Sequence, residues 1–238
     1  MADKALPIER RNFLLNAFGA LPVLALATGE TGLLSGCTEP TPAAPKAYEP
    51  RYFNSAEWAF VKAATDRLIP ASEDGPGALE AGVPEFIDRQ METDYGHGGR
   101  WYLQGPFDPT ADYTLGYQLR FTPREFYRAA VPDIDAWCAK AHDKTFAELA
   151  PAQQDDVLSK LESGAIELPH VRASEFFSQL LNNSKEGYFA DPMYGGNRGM
   201  AAWSMIGFPG ARADFADWSR HPGKPYPLGP VSILGEKA

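Results

Sequence analysis

Gly195-Gly196-Asn197-Arg198-Gly199 is the first stretch whose residue types suggest chemistry. Clustered glycines let backbone approach a ligand closely, as in loops that cradle phosphate. The spacing matches neither G-x-G-x-x-G nor the glycine-rich loop ending in Lys-Ser/Thr, and no strand-like run precedes it. It therefore reads as a structural turn or a partner surface. Ser55, Ser174 and Ser204 lack a G-x-S-x-G setting, so nucleophilic hydrolysis has no anchor. Asp133 with Asp135, and Asp155 with Asp156, read as solvated helix faces rather than an acid–base pair. His97, His142, His170 and His221 are scattered without metal-ligand spacing. The two cysteines, Cys37 and Cys138, form no Cys-x-x-Cys. No catalytic, cofactor-binding or metal-binding residue is assigned to this chain. Cys138, beside Trp137 on an apolar run, reads as a buried core thiol, with an interchain disulfide as the alternative.

The glycine cluster sits inside a longer run, Gly187 to Gly210, that carries Tyr188, Phe189, Tyr194, Trp203 and Phe208. Asp191-Pro192 and Phe208-Pro209-Gly210 read as turns within it. Such a segment either plugs its own core or presents a rigid aromatic surface. Tyr188, Tyr194, Gly195, Gly196, Asn197 and Trp203 are the expected interface residues, with Trp203 and Phe208 as those that could instead be core.

Helices must position this run. Asn54 to Ile69 opens with a capping box, Asn54 and Glu57, shows Trp58, Val61, Thr65 and Leu68 on one face, and ends at Pro70. Pro84 starts a second helix through Phe86, Ile87, Gln90 and Met91, ending near Gly96. Gly96 to Arg120 lacks periodicity but holds Trp101, Tyr102, Phe107, Tyr113 and Tyr117, the composition of an ordered aromatic loop. Thr122-Pro123-Arg124-Glu125 starts a helix with Phe126, Ala130, Ile134, Trp137 and Ala141 on one face. Pro132 predicts a kink there or two abutting helices. Pro151 to Leu161 and Pro169 to about Asn183 complete the set, and the Pro-rich tail from Arg212 reads as an extended arm. No run alternates at period two. The expected fold is mainly α: an irregular helical bundle with long ordered loops and an extended C-terminal arm.

Glu9-Arg10-Arg11-Asn12-Phe13-Leu14-Leu15 leads into an apolar run reaching about Ala27. This resembles a twin-arginine export signal, carried by Arg10, Arg11, Phe13 and Leu14. Ala25-Leu26-Ala27 offers one processing site; Leu34-Ser35-Gly36-Cys37 resembles a lipoprotein box, with Cys37 lipidated. The expected layout is an export signal over 1–37, a Pro/Ala-rich linker over 38–50 and one domain over 51–238. The net charge is −9, and residues 1–37 contribute nothing to it, so the body is acidic and unsuited to nucleic acid.

Gly187-Tyr188-Phe189-Ala190-Asp191-Pro192-Met193-Tyr194-Gly195-Gly196-Asn197, followed by Gly199-Met200, Trp203 and Ile206-Gly207-Phe208-Pro209-Gly210-Ala211, resembles the signature of the gluconate 2-dehydrogenase subunit 3 (small, gamma) family. Thr65-Asp66-Arg67-Leu68-Ile69-Pro70, Ala81-Gly82-Val83-Pro84 and Phe86-Ile87-Asp88 resemble its first block. Gln104-Gly105-Pro106-Phe107, Leu115-Gly116-Tyr117-Gln118 and Pro230-Val231-Ser232-Ile233 resemble its longer members. The resemblance spans roughly 50–235; Ser204 and Met205 fall where Lys and Leu are common. It implies an accessory subunit of a periplasmic, membrane-associated dehydrogenase oxidising gluconate to 2-ketogluconate. The implied partners are an FAD-dependent large subunit, a multihaem cytochrome c that passes electrons to quinone, and the twin-arginine translocase. FAD and haem c are then expected in the partners, and the small subunit carries the export signal for the flavoprotein and stabilises it. A related complex acting on sorbitol, fructose, glucose or 2-ketogluconate is an alternative, as is a free-standing periplasmic ligand-binding lipoprotein.

Overall fold

Six α-helices stand in chain order among the described residues: α1 (Ser55–Leu68), α2 (Val83–Met91), α3 (Pro123–His142), α4 (Pro151–Glu162), α5 (Ala173–Tyr188) and α6 (Ala201–Ile206). The computed structural model describes residues 48–99, 101, 103–108, 111–115 and 117–238. The expected export signal at Arg10, Arg11, Phe13 and Leu14, the lipidation candidate Cys37 and Tyr102 lie outside the described residues. No strand forms among the described residues, only isolated bridges, so the fold is mainly α as expected.

α1 begins where its capping box predicts. The Asn54 side chain accepts from the Glu57 N–H and Glu57 Oε2 accepts from the Asn54 N–H, both at 3.0 Å. Its buried stripe is turned from the expected one. Phe60, Val61, Ala64 and Thr65 point inward, while Trp58 and Leu68 flank at half burial. α1 touches α2, α3, α4 and α5 as well as the short turn Phe146–Glu148. A helix enclosed by that many neighbours buries a wider stripe than one facing a single layer. Phe60 meets Phe146 at 4.8 Å and Phe176 of α5 at 6.0 Å between ring centroids.

α3 is a single helix that runs through Pro132 rather than two abutting pieces. Pro132 is exposed, so the carbonyl that loses its N–H partner can be hydrated. Its core face is Phe126, Tyr127, Ala130, Val131, Ile134 and Cys138; Ala141 is exposed, one turn beyond the packed part. α5 starts at Ala173, not Pro169, because residues 167 and 172 pair in an isolated bridge first. It ends at Tyr188, past the expected Asn183, and so carries the start of the glycine-rich run on its last turn. α2 ends at Met91, and tight turns carry the chain on to Gly99.

The tail departs from the expected arm between Ala213 and Arg220, which form a 3-10 helix. Such short helices leave little periodic signal. Beyond it the tail is extended and returns to the body, with Val231 bridging Gly210 in parallel and Lys237 antiparallel. At the other end, buried Asp88 of α2 pins the chain entry. It accepts from Tyr48 Oη and the Arg51 N–H at 2.7 Å, and from the Tyr52 and Phe53 N–H groups at 3.1 and 3.0 Å.

Candidate functional site

The Gly187–Gly210 run leaves α5, makes a 3-10 turn at Pro192–Tyr194 and a second at Arg198–Met200, and ends through α6. Its path is set by close approach. A Cβ on Gly196 would lie 2.0 Å from the Gly187 carbonyl oxygen, so the loop can lie on the last turn of α5 only without a side chain there. Gly82, at the start of α2, has φ +80, and a Cβ on it would meet the Gly195 carbonyl oxygen at 2.5 Å. Two segments more than a hundred residues apart in sequence thus touch backbone to backbone.

Side chains then close the loop onto itself and onto the body. Asn197 is fully buried in the left-handed region, φ +43. Its Nδ2 donates to the Ala190 carbonyl and its Oδ1 accepts from the Ala202 N–H, each at 3.0 Å, so one amide joins the turn to α6. Trp203 Nε1 donates to the Phe189 carbonyl at 2.8 Å. Tyr188 Oη donates to the Pro76 carbonyl at 2.7 Å. Burial raises the Tyr188 phenol above its usual pKa, which keeps it a neutral donor. The Arg198 N–H donates to the Ala81 carbonyl at 3.1 Å, and its guanidinium pairs with Glu85 of α2, which also holds Arg89. Asp191 does two jobs: Oδ1 accepts from the Met193 N–H at 3.1 Å, and Oδ2 accepts from the Ile233 N–H of the tail at 2.7 Å.

The residues expected at an interface therefore divide. Tyr188, Gly195, Gly196, Asn197 and Trp203 are enclosed by this chain, each spent on an internal contact. Tyr194 stands outside, 45% exposed. Around it or along the same run, Phe189, Met193, Met205, Ile206 and Phe208 are exposed, and the tail adds Ile233 and Leu234 at 58% and 68%. A groove of about 760 Å³ borders the loop, with Phe86, Trp101, Phe189 and Tyr194 as apolar walls and Asp94 and Glu186 among its acidic groups.

Cys138 lies fully buried on α3, and burial pushes its thiol up to about 12. A second chain's sulfur could reach it only if the core opened, so the geometry is that of the core thiol. Sequence reasoning missed Asp191 as a tail clamp, Asp88 as an entry clamp and the Arg198–Glu85–Arg89 group. Asp191 was legible only as a turn former before proline; its second bond spans 42 residues, which no local pattern encodes.

Most of the expected interface side chains in this loop are spent on internal contacts. Its chemistry is that of a braced surface. Among known protein families, residues 55–210 match gluconate 2-dehydrogenase subunit 3. The match begins at the first residue of α1 and ends on Gly210, leaving the tail outside it. Comparison with curated proteins and with solved structures returned no match. With roughly two thirds of its length matched, including the loop that ties α2, α5, α6 and the tail together, the chain belongs to the gluconate 2-dehydrogenase subunit 3 family.

Proposed function

We propose that this chain is the accessory small subunit of a periplasmic, membrane-associated, FAD-dependent gluconate 2-dehydrogenase. The observation that carries the reading is the family match over 55–210. The exposed apolar side of the same matched segment supports it, because a braced loop with Tyr194, Met193 and Phe189 outward suits a partner rather than a substrate. The flavin and haem belong to the partner chains, where the flavin carries the oxidation of gluconate to 2-ketogluconate and the haem passes electrons to quinone. The role of this chain is to stabilise the flavoprotein through the Tyr194 face and to take it through the twin-arginine translocase on Arg10 and Arg11.

Co-expression tests both parts. With an Arg10→Lys, Arg11→Lys subunit, the flavoprotein is expected to stay in the cytoplasm, and undiminished periplasmic activity would contradict the export role. A pull-down of the wild-type chain from membranes is expected to bring flavin and c-type haem absorbance with it. A preparation without either would favour a free-standing lipoprotein.

A further inference from the structure

A separate cavity of about 350 Å³ lies where Phe107 and residues 118–121 meet the turn that enters α5. None of the signature residues lines it. Phe107, Leu119, Phe121, Phe126 and Leu168 supply apolar walls, and Gln118, Arg120, His170 and Arg172 supply the polar groups. No carboxylate is among its lining residues, in a chain of net charge −9. The size and the mix of an apolar wall with a few convergent polar groups are those of a small-molecule site.

The polar groups are placed rather than scattered. The Arg120 guanidinium lies over the Phe121 ring, 4.9 Å from its centroid, and Phe121 stacks on Phe126 at 6.3 Å with 10° between the planes. Such stacking holds a cation beside an aromatic wall. Behind His170 sits buried Asp133, which accepts from the His170 N–H at 3.0 Å and from ring Nδ1 at 2.9 Å. A carboxylate can only accept, so Nδ1 carries the proton and Nε2 is the free edge. Arg172 meets Glu175 through one nitrogen at 3.4 Å, an exposed and weak pair that leaves other donors of the fork for a ligand.

We propose that this cavity binds a small organic monoanion with a flat apolar body, of which an aromatic carboxylate is the chemical class. Arg120 and Arg172 take the carboxylate, and Phe107, Phe121 and Leu119 take the ring.

The test titrates the full chain with 2-naphthoate and with the neutral 2-naphthalenemethanol by calorimetry. Saturable one-to-one binding of naphthoate is expected, with the alcohol weaker by about tenfold or more, the scale of a charge-assisted contact. Arg120→Gln and Arg172→Gln should each weaken naphthoate about tenfold and leave the alcohol unchanged. Both arginines are exposed, so melting temperatures should match wild type. Nuclear Overhauser contacts from the naphthoate ring to the Leu119 and Leu168 methyl groups would locate the ligand independently of any variant. No saturable binding, equal binding of the alcohol, unchanged affinity in the double variant, or ring contacts elsewhere would each overturn the proposal.

Discussion

Two segments are rich in aromatics, yet the fold uses them differently. The signature segment, 187–210, is held by contacts across long sequence distances: Tyr188 to Pro76, Arg198 to Glu85 and Ala81, and Asp191 to Ile233. In the aromatic loop, the hydrogen bonds of residues 111–115 and 117–121 run to near neighbours. Thr114 binds Asp112, Gln118 binds the Leu115 carbonyl and Tyr117 Oη donates to the Phe121 carbonyl, each across four residues or fewer. Trp101 meets Tyr117 at 4.3 Å in a tilted pair and Tyr95, just before the loop, edge-on at 5.8 Å. The first segment braces α2, α5, α6 and the tail; the second is a cover over α5 that walls a groove and the neighbouring cavity. Aromatic content alone does not separate a brace from a cover. The sequence distance of the hydrogen bonds does.

Substitutions can break or sharpen that contrast. The largest effect is expected at Gly196→Ala, where the new Cβ meets backbone and not a flexible side chain. A loss of about 3 kcal/mol or more is expected, read as a lower midpoint in urea unfolding. Asn197→Ala removes two buried hydrogen bonds and places alanine in the left-handed region, for a loss of about 2–3 kcal/mol. Trp101→Ala in the cover should cost about 1 kcal/mol, since its partners are neighbouring rings on a partly exposed surface. If Trp101→Ala unfolded the chain as readily as Asn197→Ala, the contrast between brace and cover would fail.

Cys138 probes the core that the brace closes. With the native thiol pushed up to about 12, it is expected to resist iodoacetamide at pH 8 in buffer and to react at once in urea. The sign of its pH dependence follows. The protonated thiol is the form favoured by folding, so its contribution is full below the unfolded pKa of about 8.5 and falls as pH rises towards 12. Cys138→Ala should flatten that alkaline loss in melting experiments. Rapid native alkylation would show that the core around α3 opens readily.

Much of the fold was legible. Asn54 with Glu57 and Thr122 with Glu125 are reciprocal caps written three residues apart, and both helices start where those pairs place them. Helix ends were less legible. α5 begins four residues after Pro169 because the Glu167–Arg172 bridge competes with the first turn. The inward turn of Phe60 and Ala64 depends on neighbours that α1 acquires only when α2 to α5 surround it. In the site, the family signature was visible as a run of residues, but its division into inner and outer members was not. Of the two residues that could have been core, Trp203 turns inward with its Nε1 on the Phe189 carbonyl, while Phe208 stays exposed like Tyr194.

On the proposed function, the brace holds an outward face, Tyr194 first, against the dehydrogenase large subunit. Tyr194→Ala removes an exposed ring and should change folding stability by about 0.5 kcal/mol or less. The direct measurement is the affinity of this variant for the purified flavoprotein subunit, taken beside its melting temperature. A fall of about tenfold or more in affinity, with an unchanged melting temperature, is the predicted result. Wild-type affinity would contradict it.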